Sequence, residues 1–498
     1  MKSAEKHFVV IGGGISGITT ALLLSRHGLR VTIAEKKRRL GSTLRGFSRQ
    51  GIHFDTGFHY AGGLSPHGPL TRYFHLLRLE HLPLKDYNSD CFDRVRFLSS
   101  GTEIRLPVGR EALEDALCSA FPADAAFIRR YLVSLQESFS SSVFLNFSEY
   151  ARTLIKRKEH ALPLASVLAQ GTRNIKLRSV LALHSLLYGV SPAEAPFSLH
   201  ARVDGSYLEG VKTVAGGGRA IIAALEKRLD KAGVETVCGA AVEKLRCSPP
   251  RGVTGVLLED ERLLPADGVV FTAHPALLPS LFPEGSVKPA YSRRLAALED
   301  TVSAYTLFCK LPSPPAEIRG SNLFLCPTDD IQKGFLPDAK IEEGPFYVCA
   351  SQADGEGAAG ESALIAFAPA DPLSWTDWKN TKTGKRPAGY GRQKTETLGR
   401  FRQAVTSCWP DNARAEVLAG GTPLTLRDFL EAPGCGLYGT KHSVHQYNPL
   451  PVTRIPNLWL AGQSVVAPGI LGAVISGVLA CGCILGMEIV RGEVARCM

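Results

Sequence analysis

The residues best placed to do chemistry lie near the start of the chain. Gly12, Gly14 and Gly17 follow the apolar run His7-Phe8-Val9-Val10-Ile11, and Glu35 closes a second run, Arg30-Val31-Thr32-Ile33-Ala34. Gly12 permits a tight turn, Gly14 lets backbone amides approach a pyrophosphate, and Gly17 lets the next helix pack on the strand. Ile15 and Ser16 open that helix, whose N-terminal amides and positive end attract phosphate oxygens. Glu35 stands roughly 20 residues after the first glycine, where a carboxylate can accept from both ribose hydroxyls. The chemistry implied is dinucleotide binding. Lys36-Lys37-Arg38-Arg39 follows directly. Glu35 would repel a 2′-phosphate, so Lys36 and its neighbours read as a solvated loop beside the diphosphate rather than as an NADP clamp.

These residues need a strand, a turn, a helix and a strand to position them, and the pattern supplies all four. Ile18, Ala21, Leu22 and Leu24 recur with helical spacing, and His27-Gly28 ends the helix. A second GxGxxG match, Gly434 to Gly439, lacks this context: Glu431-Ala432-Pro433 precede it and Lys441-His442-Ser443 follow. It reads as a loop, leaving one dinucleotide site. Near the C-terminus, Pro456 to Gln463 predicts a buried strand ending on Gly462, and Gly469-Ile470-Leu471-Gly472 opens an uncharged stretch over 469–487. A membrane span needs about 20 apolar residues, and Gly482 and Gly486 form a GxxxG. The abundance of glycine directly after a strand favours instead a helix whose N-terminus abuts a ligand. Further helices are expected over Arg110–Phe121, Ile175–Leu187 and Tyr390–Val405. Strands are expected over Thr301–Leu311, Pro345–Ala350 and Ala363–Ala368, and loops over Ser351–Glu361 and Thr376–Gly391. No internal repeat is evident.

Composition narrows the function classes. The 498 residues are 45% hydrophobic and 21% charged, which is globular rather than disordered, and the net charge of +10 is modest for so long a chain. Spread over this length, that excess is weak evidence for a nucleic-acid binder, so none is expected, and it fits an anionic ligand or an anionic membrane surface equally well. Twelve cysteines contain no CxxC; the nearest pair, Cys481 and Cys483, sits in an apolar run. No zinc or other metal site is expected, and unpaired thiols with no secretory signal ahead of the first strand point to a reducing, cytoplasmic setting. A nucleophile elbow, an HExxH and a paired-carboxylate arrangement are all missing in convincing context.

The pairing of the N-terminal GxGxxG…Glu35 with Asn457-Leu458-Trp459-Leu460-Ala461-Gly462-Gln463 and Pro468-Gly469-Ile470-Leu471-Gly472 resembles the FAD-dependent phytoene desaturase superfamily. Leu40-Gly41-Ser42-Thr43 stands where the family has its second glycine-rich turn, with Ser42 in place of a glycine. Gly216 to Ala220, the Gly239 to Glu243 segment and Val269 to Pro275 also have counterparts there. Asp55-Thr56-Gly57-Phe58-His59-Tyr60 is similar to the DTGxHY of the all-trans-retinol 13,14-reductase branch. The resemblance implies an α/β chain: a discontinuous Rossmann-like FAD domain over 1–85, 205–280 and 455–498, with an inserted α+β substrate domain over 86–204 and 281–454. It implies that Gly41, Ser42 and Thr43 border the cofactor and that the backbone of Val242 holds the adenine. It also implies that Gln463 reaches the ribityl region and that the Gly469–Gly472 turn faces the isoalloxazine.

The cofactor would then carry the electrons. The expected reaction is hydride transfer at flavin N5 that saturates, desaturates or isomerises C=C bonds of an apolar isoprenoid, carotenoid or retinoid-like substrate, with an external electron partner. His59 and Tyr60, just past the Asp55–Gly57 turn, are the first candidates for the matching proton, against the alternative that they only pack the flavin edge. His442 and His445 read as solvated loop residues. Ala161–Leu187, with Arg173, Lys176 and Arg178, could be a basic amphipathic helix on a membrane leaflet or a plain domain-surface helix. Two other readings share the fold: a flavin amine oxidase, and a non-catalytic escort for prenylated proteins.

Overall fold

The computed structural model describes residues 6–141, 162–248, 250–312, 315–336, 339–350, 361–410 and 414–497. Strand β1 (His7–Ile11) lies between β2 (Arg30–Glu35) and Gly268–Phe271. Glu235–Cys238 extends the sheet beyond β2 and Leu458–Leu460 extends the other edge, giving five parallel strands. A parallel sheet is covered on both faces, and Val9, Val10, Ile33, Val269 and Val270 are fully buried accordingly. Val10, Ile33 and Val270 face helix α1 (Ile15–Arg26) and the C-terminal helix Gly469–Leu485. Val9, Ile11 and Val269 face a three-stranded antiparallel sheet, Val242–Ser248, Gly252–Leu258 and Leu263–Pro265.

The uncharged C-terminal stretch is therefore a buried helix. It packs on α1 so closely that a side chain at Gly477 would meet the carbonyl of Ser16 at 2.7 Å. Gly472 to Gly482 are all buried in the protein. No helix among the described residues is long and apolar enough to cross a membrane.

A second, seven-stranded sheet runs in the order Glu416–Gly421, Ser303–Leu311, Ser362–Ala370, Phe346–Ala350, Asn322–Cys326, Asp93–Phe97, Thr102–Leu106. Its pairs are antiparallel except Asp93–Phe97 with Asn322–Cys326. Alternation sorts its side chains. Leu307, Leu323, Phe346, Val348 and Leu364 pack with the helix Ala388–Cys408 on one face. Phe308, Phe324, Tyr347 and Ile365 face the helices Ala125–Ser140 and Phe197–Leu208 on the other.

Several sequence expectations need correction. Ile175–Leu187 is not one helix: it divides into Ile175–Leu181 and Ser185–Tyr188, with a turn at Ala182–His184. The leaflet helix over Ala161–Leu187 falls with it. Leu164, Leu168, Leu177 and Val180 are buried in the core, so the apolar side of these short helices is already covered by protein. Thr376–Gly391 is only partly loop, since a 3-10 turn runs to Trp378 and a helix starts at Ala388. Most of the expected loop Ser351–Glu361 lies outside the described residues.

Candidate functional site

The nucleotide cradle is built mainly of backbone. Gly12 has φ +108, and a side chain there would run into Thr272 Oγ1; one at Gly17 would run into the carbonyl of Gly12. Thr272, at the end of the neighbouring strand, donates to the carbonyls of Ile11 (2.9 Å) and Gly12 (3.2 Å). Its own carbonyl would stand 2.9 Å from a side chain at Gly462, where φ is +114. One threonine thus ties Gly12, Gly17 and Gly462 together. Glu35 is buried at the end of β2, its Oε2 accepting from Gly13 N (2.6 Å) and its Oε1 from Lys37 N (2.8 Å). The Gly41 amide donates to the Gly13 carbonyl at 2.8 Å, which sets the Gly41–Thr43 turn against the cradle. Val242 stands four residues past Cys238, itself paired in register with Glu35.

Three features fit a bound dinucleotide. A side chain at Gly14, and one at Gly469, would meet nothing within 4 Å, so the starts of α1 and of the C-terminal helix both adjoin open space. Ser16 Oγ, in the first turn of α1, is buried without a hydrogen-bond partner. The free amides of that turn point where a diphosphate would need them. Glu35, Gly14 to Gly17 and the Gly41–Thr43 turn would hold FAD here, and the flavin would supply two-electron chemistry. A side chain at Gly472 would strike the carbonyl of Ala467, so the turn into the helix itself requires a glycine at this position. Ile470 and Leu471 pack against the nucleotide-domain core. The Lys36 ammonium pairs with Glu431 at 2.9 Å.

The second half of the site is built of side chains. Asp55 is buried and accepts from Gly218 N at 3.1 Å, capping the helix Gly217–Lys231. Thr56 Oγ1 donates to the Thr43 carbonyl at 2.7 Å, so the turn carrying His59 and Tyr60 rests on the turn beside the cradle. His59 lies against the stacked pair Tyr347 and Phe367, ring centroids 6.1 and 5.5 Å away. Cross-strand register sets Phe324, Tyr347 and Phe367 in one row. Tyr60 stacks on Tyr207 at 5.2 Å and lies near Tyr87 at 5.4 Å. The Tyr60 hydroxyl donates to Asp93 Oδ2 at 3.1 Å.

Electrostatics separate these groups. Burial alone depresses His59 to about 4, so it is neutral at ordinary pH, and its Nδ1 is buried without a partner among the described residues. Burial, reinforced by the Asp93 carboxylate, pushes the Tyr60 hydroxyl well above the ordinary tyrosine value. His442 is not the solvated loop residue its context implied. It is half-buried, its Nε2 donates to the Gln463 carbonyl at 3.0 Å, and Asn448 donates to its Nδ1 at 3.1 Å. Burial depresses it to about 4, against the opposing pull of that carbonyl. It holds Gln463 in place; His445 is exposed.

Sequence reasoning missed the residues behind Tyr60. Asp93 Oδ2 also accepts from His184 Nε2 at 2.8 Å, and Asp93 Oδ1 accepts from Asn322 Nδ2 at 2.7 Å. His184 Nδ1 lies 2.9 Å from Asp204 Oδ1, and His200 Nε2 lies 3.1 Å from Asp204 Oδ2. Burial works against a charged His184, but Asp204 and Asp93 overcome it and raise the group to about 10. Asp204 is held well below the usual carboxylate range: burial opposes this, and His200 and His184 outweigh it. The one available signal was His200 and Asp204 spaced i, i+4 in a helical stretch. Nothing local marks Asp93 or His184. Among the described residues no group of three or more His, Cys, Asp or Glu is arranged to hold a metal ion.

The sequence profile of the flavin containing amine oxidoreductase family matches residues 15–485. The chain belongs to this family. As a member it is an FAD-dependent oxidoreductase, which removes the non-catalytic escort reading. This flavoprotein is 27% identical over 526 residues to all-trans-retinol 13,14-reductase of Danio rerio, covering 96% of this chain and 85% of the relative. It is 27% identical over 522 residues to hydroxyneurosporene desaturase of Rubrivivax gelatinosus, covering 95% and 92%. The crystal structure of an oxidoreductase from Methanosarcina mazei superposes with a TM-score of 0.70 at 17% identity, over 95% of this chain and 99% of the other, which supports the shared fold. Within the amine oxidoreductase family the chain is thus similar over nearly its whole length to a retinol reductase and to a carotenoid desaturase.

Proposed function

We propose that this flavoprotein adds or removes two hydrogens across a C=C bond of a long apolar polyene of retinoid or isoprenoid class, exchanging hydride at flavin N5. The observation that carries this reading is the composition of the aromatic cluster beside the cradle. His59 Nδ1, buried and unpartnered, and the Tyr60 hydroxyl lie among Tyr87, Tyr207, Tyr347 and Phe367. An apolar substrate needs such a wall and few polar hooks. Only one proton must be moved on the protein side, and His59 and Tyr60 are the groups we assign to it.

An amine substrate fits less well. It calls for an aromatic cage or an anionic anchor, and the carboxylates behind Tyr60, Asp93 and Asp204, are both taken up by His184. The full-length likeness to a retinol reductase and a carotenoid desaturase favours the same choice. We also propose the division into an FAD domain over 1–85, 205–280 and 455–498 and a substrate domain over the rest, supported by the segments that supply each sheet. Contact with a membrane surface belongs to the same reading, since Tyr447 and Leu450 stand 90% and 71% exposed. Co-flotation with anionic vesicles tests it.

The deciding experiment is incubation of the reduced and of the oxidised holoenzyme with retinoids, carotenes and acyclic isoprenoids, read by product mass. A gain or a loss of two hydrogens supports the proposal and fixes the direction. Conversion of amines alone would overturn it.

A further inference from the structure

The buried groups behind Tyr60 are costlier than packing requires. Taking two carboxylates and an imidazole out of water is expensive, and an apolar cluster would fill the same space. An ionised carboxylate only accepts. Asp93 has three partners on its two oxygens, Tyr60 O–H, His184 Nε2 and Asn322 Nδ2–H. Asp204 faces His184 Nδ1 on one oxygen and His200 Nε2 on the other. With both carboxylates as acceptors, the histidine between them carries both ring protons, as an imidazolium.

We propose that His184 is the proton reservoir for Tyr60, feeding it through Asp93 Oδ2, and that the site is thereby set to add hydrogens rather than remove them. This rests on the reading of Tyr60 as the group that protonates substrate. The hydride equivalent comes from flavin kept reduced by an external two-electron donor. On the protein side, the Tyr60 O–H bond breaks as a C–H bond forms at the substrate carbon next to the one receiving hydride. A tyrosinate beside Asp93 would put two anions on one shared hydrogen bond. The proton on His184 Nε2 passes to Asp93 Oδ2 and from there to the Tyr60 oxygen. The step ends with tyrosine and carboxylate restored and His184 neutral, one proton having left the bracket. It returns from the Asp204 side, where the carboxylate side chain is 18% exposed against 6% for His184 and none for Asp93. The other groups facing His184 are the rings of Phe92, Tyr207 and Phe324, which add no competing charge. The raised affinity of His184 for its proton agrees with a reservoir that is full at rest.

The test combines a spectrum with kinetics on the FAD-loaded protein. Imidazole nitrogen NMR of histidine-labelled wild type should show one histidine doubly protonated across neutral and mildly alkaline pH, and His184→Gln should remove that signal. A neutral His184 at neutral pH overturns the proposal even if the variant fails to fold. In kinetics, His184→Gln should keep FAD and KM, lower turnover per flavin by about a hundredfold, as for a lost acid–base group, and shift the alkaline limb of the pH profile. A merely structural role would lower thermal stability and leave that profile in place, which overturns the relay. Tyr60→Phe separates the two readings. If it is slow while His184→Gln has wild-type turnover, the relay is wrong and Tyr60 stands. If Tyr60→Phe is normal, the underlying assignment fails and the relay with it.

Discussion

The cradle and the aromatic cluster are adjacent, yet they are made differently. The cradle uses backbone: Gly12, Gly14 and Gly17 lie within one turn and the start of one helix, and Glu35 follows on the next strand. The cluster uses side chains from seven separated stretches: His59 and Tyr60, Asp93, His184, Asp204 with Tyr207, and the row Phe324, Tyr347 and Phe367, one from each of three strands. Backbone machinery is demanding of glycine and tolerant elsewhere. Side-chain machinery is tolerant of local sequence and demanding of the sheet register that assembles it. Damage to the first should therefore empty the protein of flavin, and damage to the second should leave it loaded and slow.

The largest effect is expected at Gly17. A valine there would drive its side chain into the Gly12 carbonyl, and the helix cannot retreat because Gly477 of the C-terminal helix sits against the Ser16 carbonyl. Overpacking at about 3 kcal/mol or more should follow. Flavin released on denaturing purified Gly17→Val should fall to background; wild-type flavin content would break the contrast between the two regions.

His59→Ala should do the reverse. Flavin should stay bound and turnover per flavin should fall by about a hundredfold. Unchanged turnover per flavin with weakened flavin or stability would make His59 a packing residue. Acid denaturation adds a second readout. In the fold His59 takes a proton only near about 4, whereas unfolded it does so near 6.5. Between those values the unfolded chain binds more protons, so stability falls as pH is lowered through that window. His184 contributes with the opposite sign: its stabilisation is complete below about 6.5 and is lost as pH rises through about 10. His59→Ala should flatten the acid limb alone.

This contrast also explains what could be read from sequence. The strand–turn–helix–strand at the start was legible because each residue acts on its immediate neighbours. The buried C-terminal helix was legible because its glycines and missing charges sit in one run. Asp93 was not, since an aspartate in an alternating strand looks solvent-facing until the Asn322 strand pairs with it in register. His184 sits in a turn that interrupts an apolar stretch read as one helix, and only the fold brings it between Asp93 and Asp204. Gly472 shows a subtler limit: the pattern located the turn, but the atom that excludes a side chain is the Ala467 carbonyl.

Glu35→Ala tests the cradle more gently. The carboxylate accepts from Gly13 N and Lys37 N, and would also accept from the ribose. Its loss should weaken FAD by about 1–3 kcal/mol, the cost of leaving buried partners unpaired. Dialysis against buffer with flavin retention followed by fluorescence reads this directly. Wild-type retention would place the ribose elsewhere.

The smallest effect is expected at Lys36, which marks where the cradle stops. Its ammonium is paired with Glu431 at 2.9 Å, and the two side chains are 56% and 37% exposed. A pair so open to water is screened by salt, and each partner gives up side-chain freedom to form it, so such pairs contribute about 0–1 kcal/mol. Lys36→Ala should move the denaturation midpoint slightly at low ionic strength and not at all at high salt, because the same ions that screen the pair in wild type leave nothing further to lose. Flavin retention should be unchanged, since the contacts near the nucleotide at this point come from the Lys37 amide and the Glu35 carboxylate rather than from the Lys36 side chain. If instead Lys36→Ala sheds flavin at both salt concentrations, the ammonium belongs to the cofactor site, and the boundary drawn here between backbone cradle and charged surface must move outward to include it.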